Sequence, residues 1–129
     1  MESRFRTLLV QWLASDPLLS AALNAVTEEA PSRASAPWLG IAASASTDWS
    51  TKQLRGREVR VALELHLRGE EAAEASALVA QVEDRVESLP RDQGEFTVAS
   101  TTFLRARAEQ RPRNERAVLL EYRFRLLET

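Results

Sequence analysis

The run from Glu58 to Arg68 constrains this chain more than any other stretch. Val59, Val61, Leu63, Leu65 and Leu67 alternate there with Arg60, Ala62, Glu64, His66 and Arg68. A period of two sends successive side chains to opposite faces of an extended backbone, so one face is apolar and the other charged. The apolar face needs a cover and both strand edges need partners. A second such run closes the chain. Val118, Leu120, Tyr122, Phe124 and Leu126 alternate with Leu119, Glu121, Arg123, Arg125 and Leu127.

The covers are legible too. Phe5, Leu8, Leu9, Trp12 and Leu13 have the spacing of one helical stripe, which predicts a helix over Glu2 to Leu13. Asp16 as N-cap and Pro17 at the first helical position then predict a short second helix through Leu18, Leu19, Ala22 and Leu23. After Gly69, the acids Glu70 and Glu71 sit where the helix macrodipole favours them. Ala75, Leu78, Val79, Val82, Val86 and Leu89 form the stripe, and Pro90 stops it. On that helix Glu83, Arg85 and Glu87 are expected on the solvated side.

Between these elements, Thr27 to Ser35 reads as a loop with a brief extended piece at its start. The segment after Pro37 reads as a strand in which Trp38, Ile41 and Ala43 are candidates for burial. Thr47 to Arg57 lacks a period and reads as a loop of about ten residues, longer than the usual connection. Arg91 to Gly94 reads as a turn. The strand that follows, rich in β-branched and aromatic residues, needs a bulge near Ser100 to Thr102, because Phe96 and Val98 share one parity and Phe103 has the other. Pro112 and Asn114 turn it back into the closing strand as a hairpin.

The expectation is one α+β domain over residues 1–129, a mainly antiparallel sheet of about four strands with helices packed on one face. The arginine-bearing face is left open. At 129 residues with 44% hydrophobic content, the chain can bury a core without staples.

Composition narrows the chemistry. There is no cysteine, which excludes disulfides, thiolate metal sites and cysteine nucleophiles. No apolar run approaches the ~20 residues of a membrane helix, so no membrane partner is expected. Gln11 and Asp16 interrupt the N-terminal apolar run, which argues against a cleaved signal. A net charge of −2 argues against a dedicated nucleic-acid binder.

His66 is the only histidine and lacks a second His or a Cys to build a site with, so a structural role at the surface is expected for it. Glu70, Glu71 and Glu74 could form a carboxylate site, but they also read as the ordinary acidic start of a helix. No serine sits in a nucleophile-elbow pattern, and the four glycines are too scattered to cradle phosphate. No catalytic residue, metal or cofactor is therefore expected.

Two features remain without a structural explanation in the pattern. Arg105, Arg107, Arg111, Arg113 and Arg116 concentrate positive charge along the last hairpin. They read either as a solvated hairpin paired with Glu109, Glu115 and Glu121, or as a contact to protein or nucleic acid. Trp49 lies in a polar loop, where it could fold back as a lid over the sheet edge or anchor a neighbouring subunit.

At this loop the string DWSTKQLRGREVRVALELHL resembles the small tail-completion proteins of tailed phages and gene transfer agents. The matching positions are Asp48, Trp49, Ser50, Thr51, Gly56 and Glu58, then Glu70 to Leu89, then Tyr122 to Leu127. The chain departs from the family at LHLRG, where relatives often carry an aromatic residue.

The resemblance implies a tail terminator, a subunit of a ring, usually hexameric, on the tail tube. Its partners would be further copies of itself, the tail tube protein and the head-closure or connector protein. DNA would pass through the lumen without specific binding. The implied location is the tail of a phage-like particle made in a bacterial cytoplasm. Protein contacts are expected at Asp48, Trp49, Ser50, Thr51, Lys52, Arg55 and Arg57, and at Arg111 and Arg113. The alternatives are a small α+β module that binds a ligand or nucleic acid, and a small hydrolase.

Overall fold

The structure, a computed structural model, describes residues 1–29, 34–69 and 72–129. Helix α1 (Glu2–Ala14) and the short α2 (Pro17–Ala22) lead into strand β1 (Ala25–Thr27). Then come β2 (Trp38–Asp48), β3 (Gly56–Arg68), helix α3 (Ala72–Glu87), β4 (Phe96–Arg111) and β5 (Glu115–Glu128). The strands form one sheet in the order β1-β2-β3-β5-β4. All neighbours are antiparallel except β1, which runs parallel to β2.

The sheet therefore has five strands where about four were expected. The extra one is β1, three residues long, too short to show alternation in a sequence. It exists because Ala25 to Thr27 can pair with Trp38 to Gly40, a long-range match.

The helices cover one face, as the pattern predicted. Phe5, Leu9 and Leu13 of α1, Leu19 of α2, and Val82 and Val86 of α3 are fully buried. They pack on Val59, Val61, Leu63 and Leu65 of β3 and on Leu120, Tyr122, Phe124 and Leu126 of β5, the alternating sets of both runs. Phe5 lies 4.6 Å from Phe124 and 6.3 Å from Phe96, ring centre to ring centre. Asp16 caps α2, its Oδ2 accepting from the Leu19 N–H at 3.0 Å.

Three expectations shift. Arg85 is not solvated: its Nε donates to the Trp12 carbonyl at 2.8 Å, and its guanidinium lies 3.4 Å from the Trp12 ring centre. Trp12 in turn donates its indole N–H to the Arg85 carbonyl at 2.8 Å. A long side chain on the flank of a helical stripe can thus bind the layer it borders. Ala43 is exposed, because a bulge between Ile41 and Ala43 follows the last buried residue of β2. In β4 the register slips twice, between Val98 and Ser100 and between Phe103 and Arg105, on either side of the single bulge expected.

Glu70 and Glu71, with which α3 was expected to open, lie outside the described residues, as does part of the Thr27 to Ser35 loop.

Candidate interaction surfaces at the two ends of the sheet

The expected contact residues fall into two groups. Arg57 pairs with Leu126 at one end of β3, and Arg68 pairs with Glu115 at the other, beside Arg111. At about 3.3 Å per strand residue the two ends lie roughly 36 Å apart. Asp48, Trp49, Ser50, Thr51, Lys52, Arg55 and Arg57 cluster at the first end, while Arg111 and Arg113 stand at the second.

The first group is shorter than a ten-residue loop, because β2 runs through Asp48 and β3 begins at Gly56. The connection between them is held by its own polar groups. Trp49 N–H donates to the Gly56 carbonyl at 3.0 Å. Gly56 N–H donates to Ser50 Oγ at 3.0 Å, and the Ser50 hydroxyl donates to Asp48 Oδ1 at 2.7 Å. Thr51 Oγ1 accepts from Leu54 N–H at 2.9 Å, and Thr51 N–H donates to the Leu54 carbonyl at 2.8 Å. Ser50 and Thr51 thus build the turn, in the manner of serine and threonine turns generally.

Gly56 has to be glycine, since a Cβ there would stand 2.3 Å from the Trp49 carbonyl oxygen and 2.9 Å from that of Leu126. Trp49 is half-buried, with the Arg125 guanidinium 5.4 Å from its ring centre. It lies back over the arginine-bearing face, as a lid would. Lys52, Leu54, Arg55 and Arg57 remain exposed.

Beside this turn, an open depression of about 700 Å³ is lined by Asp48, Ser50, Arg55 and Arg57, with Met1, Arg4, Glu95, Glu128 and Thr129. The start of α1 forms its far wall. There the Glu2 carboxyl is held below the usual carboxylate range, first by a hydrogen bond to the backbone and further by the charge of Arg57. Cations and carboxylates mix on this surface, so it can pair with charged groups of either sign.

At the second end the arginines are mostly matched. Arg111 Nη2 lies 2.9 Å from Glu109 and 3.3 Å from Glu64. Arg107 pairs with Glu109 at 3.0 Å, and Arg105 with Glu121. Arg113, exposed at the tip, adopts φ 63 beside Asn114 at φ 59, which closes the hairpin. The Asn114 carbonyl accepts from Gly69 N–H at 2.7 Å, tying this tip to the end of β3.

Glu115, expected to meet an arginine, instead meets His66, whose Nε2 lies 2.6 Å from its Oε2. That bond is the main reason the Glu115 carboxyl is held below its ordinary range. His66 also stacks on Trp38, the rings 4.9 Å apart and 5° from parallel. The sole histidine therefore knits three strands together across the open face. Sequence reasoning placed it on that face but had no signal for its partners, which come from β2 and β5.

The sequence profile of the family described as tail completion protein gp17 matches residues 7–127. No curated protein matches the chain. Among solved structures, a chain from the virion of a native gene transfer agent (GTA) particle superposes with a TM-score of 0.80. The two are 21% identical, over 95% of this chain and 93% of that one. At that identity the likeness is one of fold.

Proposed function

The chain belongs to the tail completion protein gp17 family, and from that premise we propose that it is a structural tail terminator. Copies form a ring, a hexamer in this reading, that caps the tail tube of a phage-like particle and joins it to the head connector. The observation that carries this is a family match running through almost the whole fold, from α1 to β5. The geometry is compatible with it. A ring needs two unlike surfaces that meet head to tail, and this sheet has unlike ends and unlike edges.

The turn from Asp48 to Arg57 is one contact surface in this reading, and the tip carrying Arg111 and Arg113 is another. DNA passes the ring without being gripped. A net charge of −2 supports that, as does the pairing of Arg105, Arg107, Arg111, Arg123 and Arg125 with carboxylates.

The test is to mix the purified chain with its cognate tail tube protein and image the product by electron microscopy. Capped tubes of limited length are expected; tubes that grow unchecked and uncapped would overturn the proposal. Trp49→Ala sharpens it. Stability is expected to fall by less than about 1 kcal/mol, the scale of an exposed cation–aromatic contact. Capping is expected to suffer more than folding, as read by the fraction of capped tubes against the unfolding midpoint.

A further inference from the structure

The two edges of the sheet are both unfinished, and they are unlike. Strand β4 is an edge strand of 16 residues; the turn from Arg91 to Gln93 bridges its start at Phe96 to Val98, and beyond Val98 it pairs only with β5 among the described residues. On it Phe103 is 44% exposed and Leu104 37%. A long edge with exposed apolar side chains is a template for another strand. At the opposite edge β1 shields only Trp38 to Gly40 of β2, and residues 42–48 beyond it are left without an outer partner among the described residues. Their side chains are small, Ala42, Ala43, Ser44, Ala45 and Ser46, and all but Ser46 are exposed.

The edges also differ in charge. Along the β4 edge and its tip stand Arg105, Arg107, Arg111 and Arg113, which outnumber the three acids that meet them, Glu109 on β4 itself, Glu121 on β5 and Glu64 on β3. Along the other edge stand Glu28, Glu29 and Asp48, with no basic residue in β1 or β2; Arg6 of α1 reaches Glu28 at 3.9 Å and donates to Ser44 Oγ at 3.4 Å.

Strand polarity makes the two edges compatible. β2 and β5 run one way, β3 and β4 the other. A rotation about an axis along the strands does not reverse them. It therefore brings β4 of one copy beside β2 of the next in antiparallel orientation, with both helix layers on the same side.

We propose that copies of this chain join edge to edge, the free edge of β4 in one copy pairing with the uncovered half of β2 in the next. This rests on the ring reading and names the surfaces that close it. The small side chains of β2 leave room for Phe103 and Leu104 of the neighbour. Charge then sets the approach. At equal height along the strands Arg107 aligns through Leu119 and Glu64 with Gly40. The position of a Cβ on Gly40 is 3.4 Å from the Glu29 carbonyl, so a level join sets Arg107 of one copy near Glu29 of the next.

The chain has no cysteine, so disulfide trapping is clean. Ser44→Cys combined with Phe103→Cys puts one thiol on each edge at the level register, both on the helix-covered side of the sheet. Companion variants place the second cysteine at Ala106 or Ala108 instead, to sample register. Within one copy the two edges are three strand spacings apart, about 14 Å, beyond the ~7 Å Cα limit for a disulfide. Any bond formed is therefore between copies. Single-cysteine chains can give no covalent species larger than a dimer.

The expected result, for protein oxidised with tail tube protein present, is a covalent ladder beyond the dimer from at least one double variant. Arg107→Glu is expected to weaken self-association about tenfold, the equivalent of ~1.4 kcal/mol, and adding Glu29→Arg to restore it. Capped tubes with no species beyond the dimer from any double variant would overturn the edge-to-edge join and leave the terminator reading standing. Tubes that are not capped at all would overturn both.

Discussion

On the helix-covered face of the sheet, Phe5, Tyr122 and Phe124 pack ring against ring among aliphatic side chains, and Val59, Val61, Leu63 and Leu65 of β3 and Leu120 to Leu126 of β5 turn buried side chains to the helices at alternate positions. On the opposite face the same two strands carry Glu58 between Arg123 and Arg125, at 3.3 and 3.4 Å. Both faces are ordered, but by different physics. Apolar burial is strong and does not depend on a partner of a particular chemistry, whereas half-buried ion pairs that keep contact with water add less stability and can be exchanged for a neighbour's charges. The covered face holds the molecule together, and the open face and the edges beside it are left for contacts.

Substitutions should separate the two faces. Phe124→Ala, at the centre of the covered face, is expected to lose about 3–5 kcal/mol in urea unfolding. A loss below ~1 kcal/mol would mean that the helix layer is not what stabilises the sheet. Gly56→Ala tests the turn at the margin of both faces. The new methyl meets backbone rather than a movable side chain, so a loss of about 1–3 kcal/mol is expected. A stable variant would show that the turn can relax.

Tyr122→Phe sharpens the comparison from inside the core. The Tyr122 hydroxyl is buried without a hydrogen-bond partner, so its removal is expected to raise stability by up to about 1 kcal/mol. Burial raises the Tyr122 pKa above its ordinary value of 10.0, and the nearby carboxylates Glu83, Glu87 and Asp84 push it the same way. The raised folded value means the neutral form is the one that fits. Stability is then full below about pH 10 and falls as pH climbs beyond it. Chemical unfolding between pH 9 and 11 should show that fall in the native chain and less of it in Tyr122→Phe. Smallest of all, Glu58→Gln on the open face is expected to change stability by no more than about 0.5 kcal/mol despite its two arginine neighbours. A larger loss would make that face a stabilising network in its own right.

Much of this fold was legible along the chain. The parity of Val59 to Leu67 and of Val118 to Leu126 depends only on local geometry, and so do the stripe from Phe5 to Leu13 and the cap at Asp16. The contact surfaces were less legible. The loop at Trp49 was found because its residues fit no period. That Ser50 and Thr51 serve the turn was hidden, because their acceptors and donors are set by how β2 and β3 close. Arg85 was misread for the same reason: helical spacing says where it lies on α3, while Trp12, which it covers, comes from the other end of the sequence.

The division follows from range. The sequence by itself determined the elements, their amphipathic faces and the pairing of the last two strands, since each is encoded within some ten to thirty consecutive residues. Only the tertiary structure decided that Ala25 to Thr27 is a fifth strand, that His66 links Trp38 to Glu115, and that β4 and the outer half of β2 are left as free edges. Those outcomes depend on which distant segments lie side by side once the apolar faces are buried, and no local period records them.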